Sequence, residues 1–390
     1  MDQSFSQKDV ESIAAYYNSL DIQSFTLMLK DPSYCYKFYW LEAIVNLISE
    51  DVQQTTFDGI INEMICNAWY SVREFHIHLS GLGMNGEVKD GLERTILRLS
   101  DLSALPSNAS KVEINNAIGT YEMELVQFKK QLTNMVPFRA LSGFFATAGV
   151  TLKESEWNSP KKMKGIIDSF SGSVTSLPYV LGPESGLFRT VIFNPEWMGM
   201  IQKYTAQILG WIQFEKVKWL QNNNPEVPGL VYKLLPMDDK MRKLGKVRKL
   251  WEGVLSVQKI PDVFTGKVIT SGYDIDHFIP WSFIMNDELW NLMPMDSSLN
   301  SSKSNKLPEW ERFYRRFSDN QYVLYQMIQK KPEIHRLFEA CWRDNLHSIW
   351  AGQELYRPGN SKEMFDTILM KNMKPVYDSA RRQGYEIWKI

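Results

Sequence analysis

Between Tyr273 and Lys306 the sequence changes its period more than once within a short span, and few folds accommodate that. Tyr273, Ile275, His277 and Ile279 alternate with Asp274, Asp276 and Phe278, the two-residue period of a strand, and Pro280 ends it. Asn286-Asp287 makes a loop, and Leu289 to Met293 reads as a second short strand. Met295 to Asn305 is small and polar, with Asp296 or Ser297 placed to cap a short helix. The prediction is a compact β, β, α unit in which Asp276, His277, Asn291 and Asn300 are free to converge.

Most of the remaining chain carries the helical period. Ile61, Ile65, Ala68, Val72, Phe75 and Leu79 form one apolar stripe, with Thr55 or Thr56 as N-cap and Gly81 as the stop. Tyr34 to Ile48 supplies a second helix to pack on it, and another is expected from about Lys111 to Thr133, after a loop over Pro106 to Ser110. Pro183 and Gly186 separate two short β-rich stretches within Leu177 to Phe193, which predicts a hairpin. A long helix then starts at Pro195 with a seam of Trp197, Ile201, Tyr204, Ile208 and Trp211, and ends at Asn222-Asn223-Asn224-Pro225. A basic helix spans Lys240 to Leu250, and beyond about residue 318 the chain is helical again, interrupted at Arg357 to Asn360. Four segments follow: 1–150 helical, 151–235 hairpin and long helix, 236–318 the ββα unit with its basic helix, and 319–390 helical.

Composition narrows the class. Hydrophobic residues are 44% of the 390 and charged residues 23%, so a large core is available. Lys and Arg number 44 against 45 Asp and Glu, a net charge of −1, which excludes a uniformly basic coat. The stretch Lys240 to Arg316 nevertheless holds 13 Lys or Arg against 9 Asp or Glu, so the basic excess sits on the segment with the motif. The three cysteines, Cys35, Cys66 and Cys341, are far apart and form no CxxC, so neither a disulfide framework nor a thiolate zinc ribbon is expected. The first residues lack a signal-peptide pattern and no apolar run is long enough to span a bilayer, so a cytoplasmic protein without a membrane partner is expected.

The chemistry lies in the residue types of the ββα unit. An acidic oxygen, an imidazole and an amide oxygen make a poor zinc set but suit a hard cation such as Mg²⁺. The imidazole is left as a base beside the metal, and the reaction implied is phosphodiester hydrolysis by metal-assisted attack of water. Two decoys are set aside. His76 and His78 lie two apart on the expected helix, on opposite faces, and cannot share an ion. Gly81 to Gly86 spells GxGxxG but follows a helix rather than a strand, and no P-loop is present, so no nucleotide cofactor is expected.

The run Asp274 to Pro308 resembles the HNH (ββα-metal) endonuclease motif, and is similar in particular to the HNH domain of RNA-guided CRISPR nucleases. Asp276-His277-x-x-Pro280, the central Asn291 and Asn300-x-x-Lys303-Ser304 stand at that spacing. The resemblance implies a mostly α (α+β) protein in which helical N- and C-terminal regions surround an inserted HNH nuclease module. It makes His277 the general base, Asp276 and Asn300 ligands of one Mg²⁺ or Mn²⁺, and Asp274 an auxiliary ligand. Asn291 would hold the His277 loop, Lys303 would contact a phosphate, and the products would carry 5′-phosphate and 3′-hydroxyl ends. Lys243, Lys246 and Lys249, with Arg312 beyond the motif, are expected to track the nucleic-acid backbone.

Two departures stand out. The third motif residue is Asn300 rather than His, which keeps an oxygen ligand. The cysteine pairs that often build a zinc ribbon around such a motif are missing; Pro261 to Gly266 lies where the first would be, so no structural zinc is expected and Val263, Phe264, Trp281 and Trp290 are to replace it by packing. The helical flanks are similar to uncharacterised bacterial HNH proteins, many thought to serve in phage defence. DNA is thus the expected partner, in restriction or anti-phage defence, with the N-terminal helices left to recognise a target, form a homodimer or dock a partner protein. An RNA-directed nuclease and a non-catalytic nucleic-acid-binding or scaffold protein with a silent site stay open.

Overall fold

The computed structural model describes residues 19–30, 32, 34–133, 136–170, 177–234 and 242–390. It is mostly helical with three small sheets among the described residues, the α+β class that the sequence implies. The chain divides into two compact units, Met1–Asn224 and Pro225–Ile390, at the Asn-Pro breaker. No described helix is long and apolar enough to cross a membrane.

In the first unit α1 (Tyr36–Ser49) is apolar around most of its circumference and is buried between neighbours. β1 (Gln54–Thr56) leads into α2 (Phe57–Phe75), where the Thr56 side chain accepts the Gly59 N–H at 3.1 Å as N-cap. α2 carries the predicted stripe but ends at His76, which takes a left-handed conformation (φ 51°), so Leu79 and Gly81 lie beyond it. His76 and His78 therefore leave the helix altogether, and His78 Nδ1 meets Glu93 Oε1 at 2.8 Å. α3 (Gly91–Ser103) follows. The single helix expected over 111–133 is two, α4 (Lys111–Thr120) and α5 (Glu122–Leu132), parted at Tyr121.

The hairpin forms as β2 (Tyr179–Leu181) and β3 (Thr190–Phe193), with β1 adding on the far side of β3 so that both pairings are antiparallel. The long helix after it is also two, α6 (Pro195–Lys203) and α7 (Thr205–Asn223). Its Trp197 is core, stacked on Phe25 with ring centroids 5.1 Å apart.

The second unit has one hydrophobic core. The basic helix begins later than expected, as α8 (Gly245–Val257); Lys240 lies outside the described residues and Lys243 precedes the helix. Val247, Leu250, Trp251 and Val254 bury one face of α8, leaving its charges on the other. β4 (Tyr273–His277) pairs antiparallel with β5 (Leu292–Asp296), and α9 (Ser297–Lys303) follows directly. Pro294 is tolerated in β5 because a two-stranded sheet is all edge. β6 (Leu307–Pro308) leads into α10 (Trp310–Lys330), α11 (Pro332–Asn345) and α12 (Lys362–Arg382), and β7 (Ile387–Trp388) returns to pair parallel with β6.

Three polar side chains on α10 fasten the ββα unit by its backbone. Arg316 Nη1 donates to Val263 O (2.6 Å), Asn320 Nδ2 to Pro261 O (2.7 Å) and Gln321 Nε2 to Leu292 O (2.7 Å). Where a zinc knuckle was discounted, Asp262 ties the turn instead. Its Oδ1 accepts Phe264 N–H (3.0 Å) and Thr265 N–H (2.8 Å), and its Oδ2 accepts Asp296 N–H at 3.2 Å. Val263, Phe264 and Trp290 pack as expected, with Phe264 against Phe313 and Trp388 at 5.0 Å each. Trp281 does not join them. It is half-buried, and the Arg242 guanidinium lies 4.7 Å over its ring.

Candidate active site in the second unit

Strand alternation sorts the motif. Asp274 and Asp276 stand on the half-buried face of β4, while Ile275 and His277 stand on the buried one. α9 comes over the acidic face because Asp296 caps it, accepting Ser298 N–H at 2.9 Å; those bonds hold the Asp296 carboxyl below its ordinary range.

Each acid already has a cation. Arg248 Nη2 from α8 is 3.4 Å from Asp274 Oδ1, and Lys303 Nζ is 2.8 Å from Asp276 Oδ2. Asn300 Nδ2 approaches Asp274 Oδ2 at 3.5 Å. Lys303 is a correction. Expected on a phosphate, it is buried, and its Nζ also donates to His277 O at 2.7 Å. The reason is electrostatic: it ends α9 above the close of β4, where a part-buried carboxylate needs a counter-charge.

Asn291 is buried with both ends of its amide used on one residue. Its Oδ1 accepts Ile279 N–H and its Nδ2 donates to Ile279 O, both at 2.8 Å, while Phe278 N–H donates to Asn291 O at 2.8 Å. That grip replaces strand pairing over Leu289–Asn291, which is a 3₁₀ turn, so β5 starts at Leu292 and not at Leu289.

His277 is 2% exposed and faces an acid that the sequence placed in an ordinary loop. Its Nε2 is 3.0 Å from Asp287 Oδ1, and Asp287 is 3% exposed. The two atoms are at ion-pair distance without the alignment of a hydrogen bond. Asp287 is fixed from other sides: Oδ2 accepts the Lys243 N–H, and its carbonyl accepts Asn345 Nδ2 at 2.9 Å. Beside it Glu288, pushed up by burial, accepts the N–H groups of His347 and Ser348 at 2.9 Å each. The available signal was Asp287-Glu288 standing between the apolar pairs Ile284-Met285 and Leu289-Trp290, a sequence position that pulls charge into a core.

The basic residues divide. Lys243 and Lys246 share Asp344 at 3.1 and 2.6 Å, and together hold its carboxyl down to about 2. Lys249 is exposed on α8. Arg312 Nη1 donates to Ile390 O at 2.9 Å, at the chain's C-terminal end. The residue of the basic helix that reaches the acids is Arg248.

The two carboxylates on one strand face offer oxygens of the kind Mg²⁺ or Mn²⁺ takes, and the Asn300 amide across from them turns its Nδ2 toward Asp274. Asp274 is 42% exposed and Asp276 15%, open enough for a hydrated ion, and Lys303 engages Oδ2 of Asp276 but not Oδ1. The residues fit such an ion. No group of three or more His, Cys, Asp or Glu among the described residues is placed to hold one.

Compared with known protein families, residues 262–309 match the model described as HNH endonuclease. No curated protein and no solved structure matched the chain.

Proposed function

We propose that the chain, whose residues 262–309 match the HNH endonuclease family, hydrolyses DNA phosphodiester bonds in a Mg²⁺- or Mn²⁺-dependent reaction. The observation that carries this is that α9 lies over the face of β4 bearing Asp274 and Asp276, with Asn300 against Asp274 and Lys303 against Asp276, while His277 closes the same strand beside a buried acid.

The roles follow from the contacts. Asp287 beside Nε2 favours the proton on that nitrogen and leaves Nδ1 as the lone pair that takes a proton from water. Asp287 also stabilises the imidazolium so formed, as the buried acid does in Ser-His-Asp sites. Asn291 fixes the backbone just beyond His277, so the ring is aimed by the chain rather than by its own freedom. Asp274, Asp276 and Asn300 would hold the metal ion, which when bound supplies Lewis-acid stabilisation of the phosphate and the departing 3′ oxygen. The water oxygen bonds to phosphorus as the P–O3′ bond breaks, leaving a 5′-phosphate and, after protonation from solvent, a 3′-hydroxyl. Arg248 stands where it can share charge with that phosphate, and Lys249 offers an exposed contact further along the strand. A bacterial restriction or anti-phage setting is the context we propose for that activity.

Supercoiled plasmid incubated with the protein in Mg²⁺ or EDTA, beside His277→Ala, tests the reading. Metal-dependent nicking or linearisation that the variant loses supports it. Cleavage of RNA alone would replace the substrate, and turnover of neither nucleic acid would reject the activity.

A further inference from the structure

The first unit holds a cavity of about 390 Å³, within the range that takes a small ligand. Its wall is assembled from the start of α1, the start of α3, the end of α5 and the segment 136–157. Four cations line it, Lys37, Lys89, Arg94 and Arg139, against one carboxylate, Glu154. That carboxylate is spoken for, since Arg139 Nη2 binds Glu154 Oε1 at 2.5 Å. Among the described lining residues cations outnumber carboxylates by three, in a chain whose overall charge is −1 and whose balance outside 240–316 is acidic. Such a concentration selects an anion.

The rest of the lining selects a flat one. Tyr34 and Tyr36 stack with ring centroids 5.5 Å apart and 21° between planes, and Tyr34 remains 47% exposed at the cavity. Trp157 contributes a third ring, with the Arg139 guanidinium 5.9 Å from its centroid. Two donors also lack acceptors among the described residues. Arg139 Nε is buried with no hydrogen-bond partner. The Tyr36 hydroxyl accepts the Gly91 N–H at 2.6 Å, and burial keeps the phenol protonated, so its own proton is left to give. An acidic peptide would leave the rings unused, and an aromatic acid would leave most of the charge unused. Rings for a base together with several cations match a base joined to phosphate.

We infer that this cavity binds a nucleoside phosphate, either free or as the phosphorylated 5′ end of a strand, with the base against Tyr34, Tyr36 and Trp157 and the phosphate among Lys89, Arg94 and Arg139. No glycine-rich fingerprint marks it. Its residues all belong to the first unit, and the inference does not depend on the activity proposed for residues 262–309.

Titration calorimetry on the full chain in EDTA, where metal-dependent cleavage is silent, tests the inference. The probes are adenosine 5′-monophosphate, adenosine, ribose 5-phosphate, inorganic phosphate and a 5′-phosphorylated trinucleotide. The mononucleotide should bind saturably, with adenosine, ribose 5-phosphate and phosphate each weaker by about tenfold or more, a loss typical of removing one recognised group. Lys89→Gln with Arg94→Gln, both exposed positions, and separately Tyr34→Ala, should each weaken it by about tenfold. A trinucleotide that binds more tightly than the mononucleotide identifies the strand end as the ligand; one that does not identifies the free nucleotide. Absence of saturable binding up to about 5 mM would overturn the inference, as would inorganic phosphate binding as well as the nucleotide, or affinity unmoved by the variants.

Discussion

Asp287→Asn tests the catalytic reading where the sequence was silent. The substitution keeps the shape and an oxygen for the Lys243 N–H, and removes only the charge 3.0 Å from His277 Nε2. With both groups nearly fully buried, an effective dielectric of about 20 gives roughly 5 kcal/mol between the carboxylate and the imidazolium that forms as water gives up its proton. Relaxation and the asparagine dipole recover part of that. If about half is lost, cleavage slows by about a hundredfold, and if all is lost, by several thousandfold. The amide can also present its NH₂ to Nε2 and favour the wrong tautomer, which acts in the same direction. The assay is single-turnover nicking of supercoiled plasmid in saturating Mg²⁺, with unfolding monitored in parallel to show that the fold survives. The same change is then made in a His277→Ala background, where it should cost almost nothing because the two residues act as a unit. A single variant within about twofold of the parent, or an undiminished effect of Asp287→Asn without His277, would refute the pairing.

Asn291→Ala should destabilise the second unit by about 2–5 kcal/mol, since it strands both the N–H and the C=O of buried Ile279; hydrogen exchange at the Ile279 amide reads this directly, and unchanged protection there would contradict it. Lys303→Met should lower the melting temperature in EDTA yet tighten Mn²⁺ binding in calorimetry, because the cation 2.8 Å from Asp276 competes with a bound ion; equal or weaker metal affinity would count against Asp276 as a ligand. Burial lowers Lys233 to about 7, below its unfolded value, so between the two the unfolded chain holds a proton that the folded chain lacks and stability rises with pH. Urea midpoints at pH 7 and 9 should show that rise in the parent and a flatter response in Lys233→Met. Replacing Lys249 and Arg248 by Gln should reduce the salt dependence of DNA binding by about one to two units of slope; an unchanged slope would remove α8 from the nucleic-acid path.

What was legible in the sequence is what short-range chemistry determines. The alternation through Asp274 to His277, the cap at Asp296 and the cap at Thr56 each depend on neighbours a few residues away, and each is found in the structure. The β1 strand was not legible, because three polar residues carry no pattern and gain one only on meeting Thr190 to Phe193. The helix breaks at Tyr121 and Tyr204 were hidden because the apolar period runs on through both.

The candidate site shows the same division, with a sharper consequence. A motif names residue types but not their counter-charges, and the counter-charges come from afar: Arg248 from α8 for Asp274, Lys303 from the end of α9 for Asp276, and Asp287 for His277. Only Lys303 among them is expected from the sequence to meet a phosphate, because a lysine near a nuclease motif looks the same whether it faces solvent or an acid. Burial separates the two cases. A Lys303 that is buried and spends two of its three N–H donors on Asp276 and on the His277 carbonyl keeps its charge in the site at rest. The acidic face of β4 is therefore balanced at rest, and an ion held by Asp276 as proposed would share that carboxylate with Lys303. That predicts weak resting affinity and makes the phosphate, as a further source of ligands, a participant in metal binding rather than only its beneficiary.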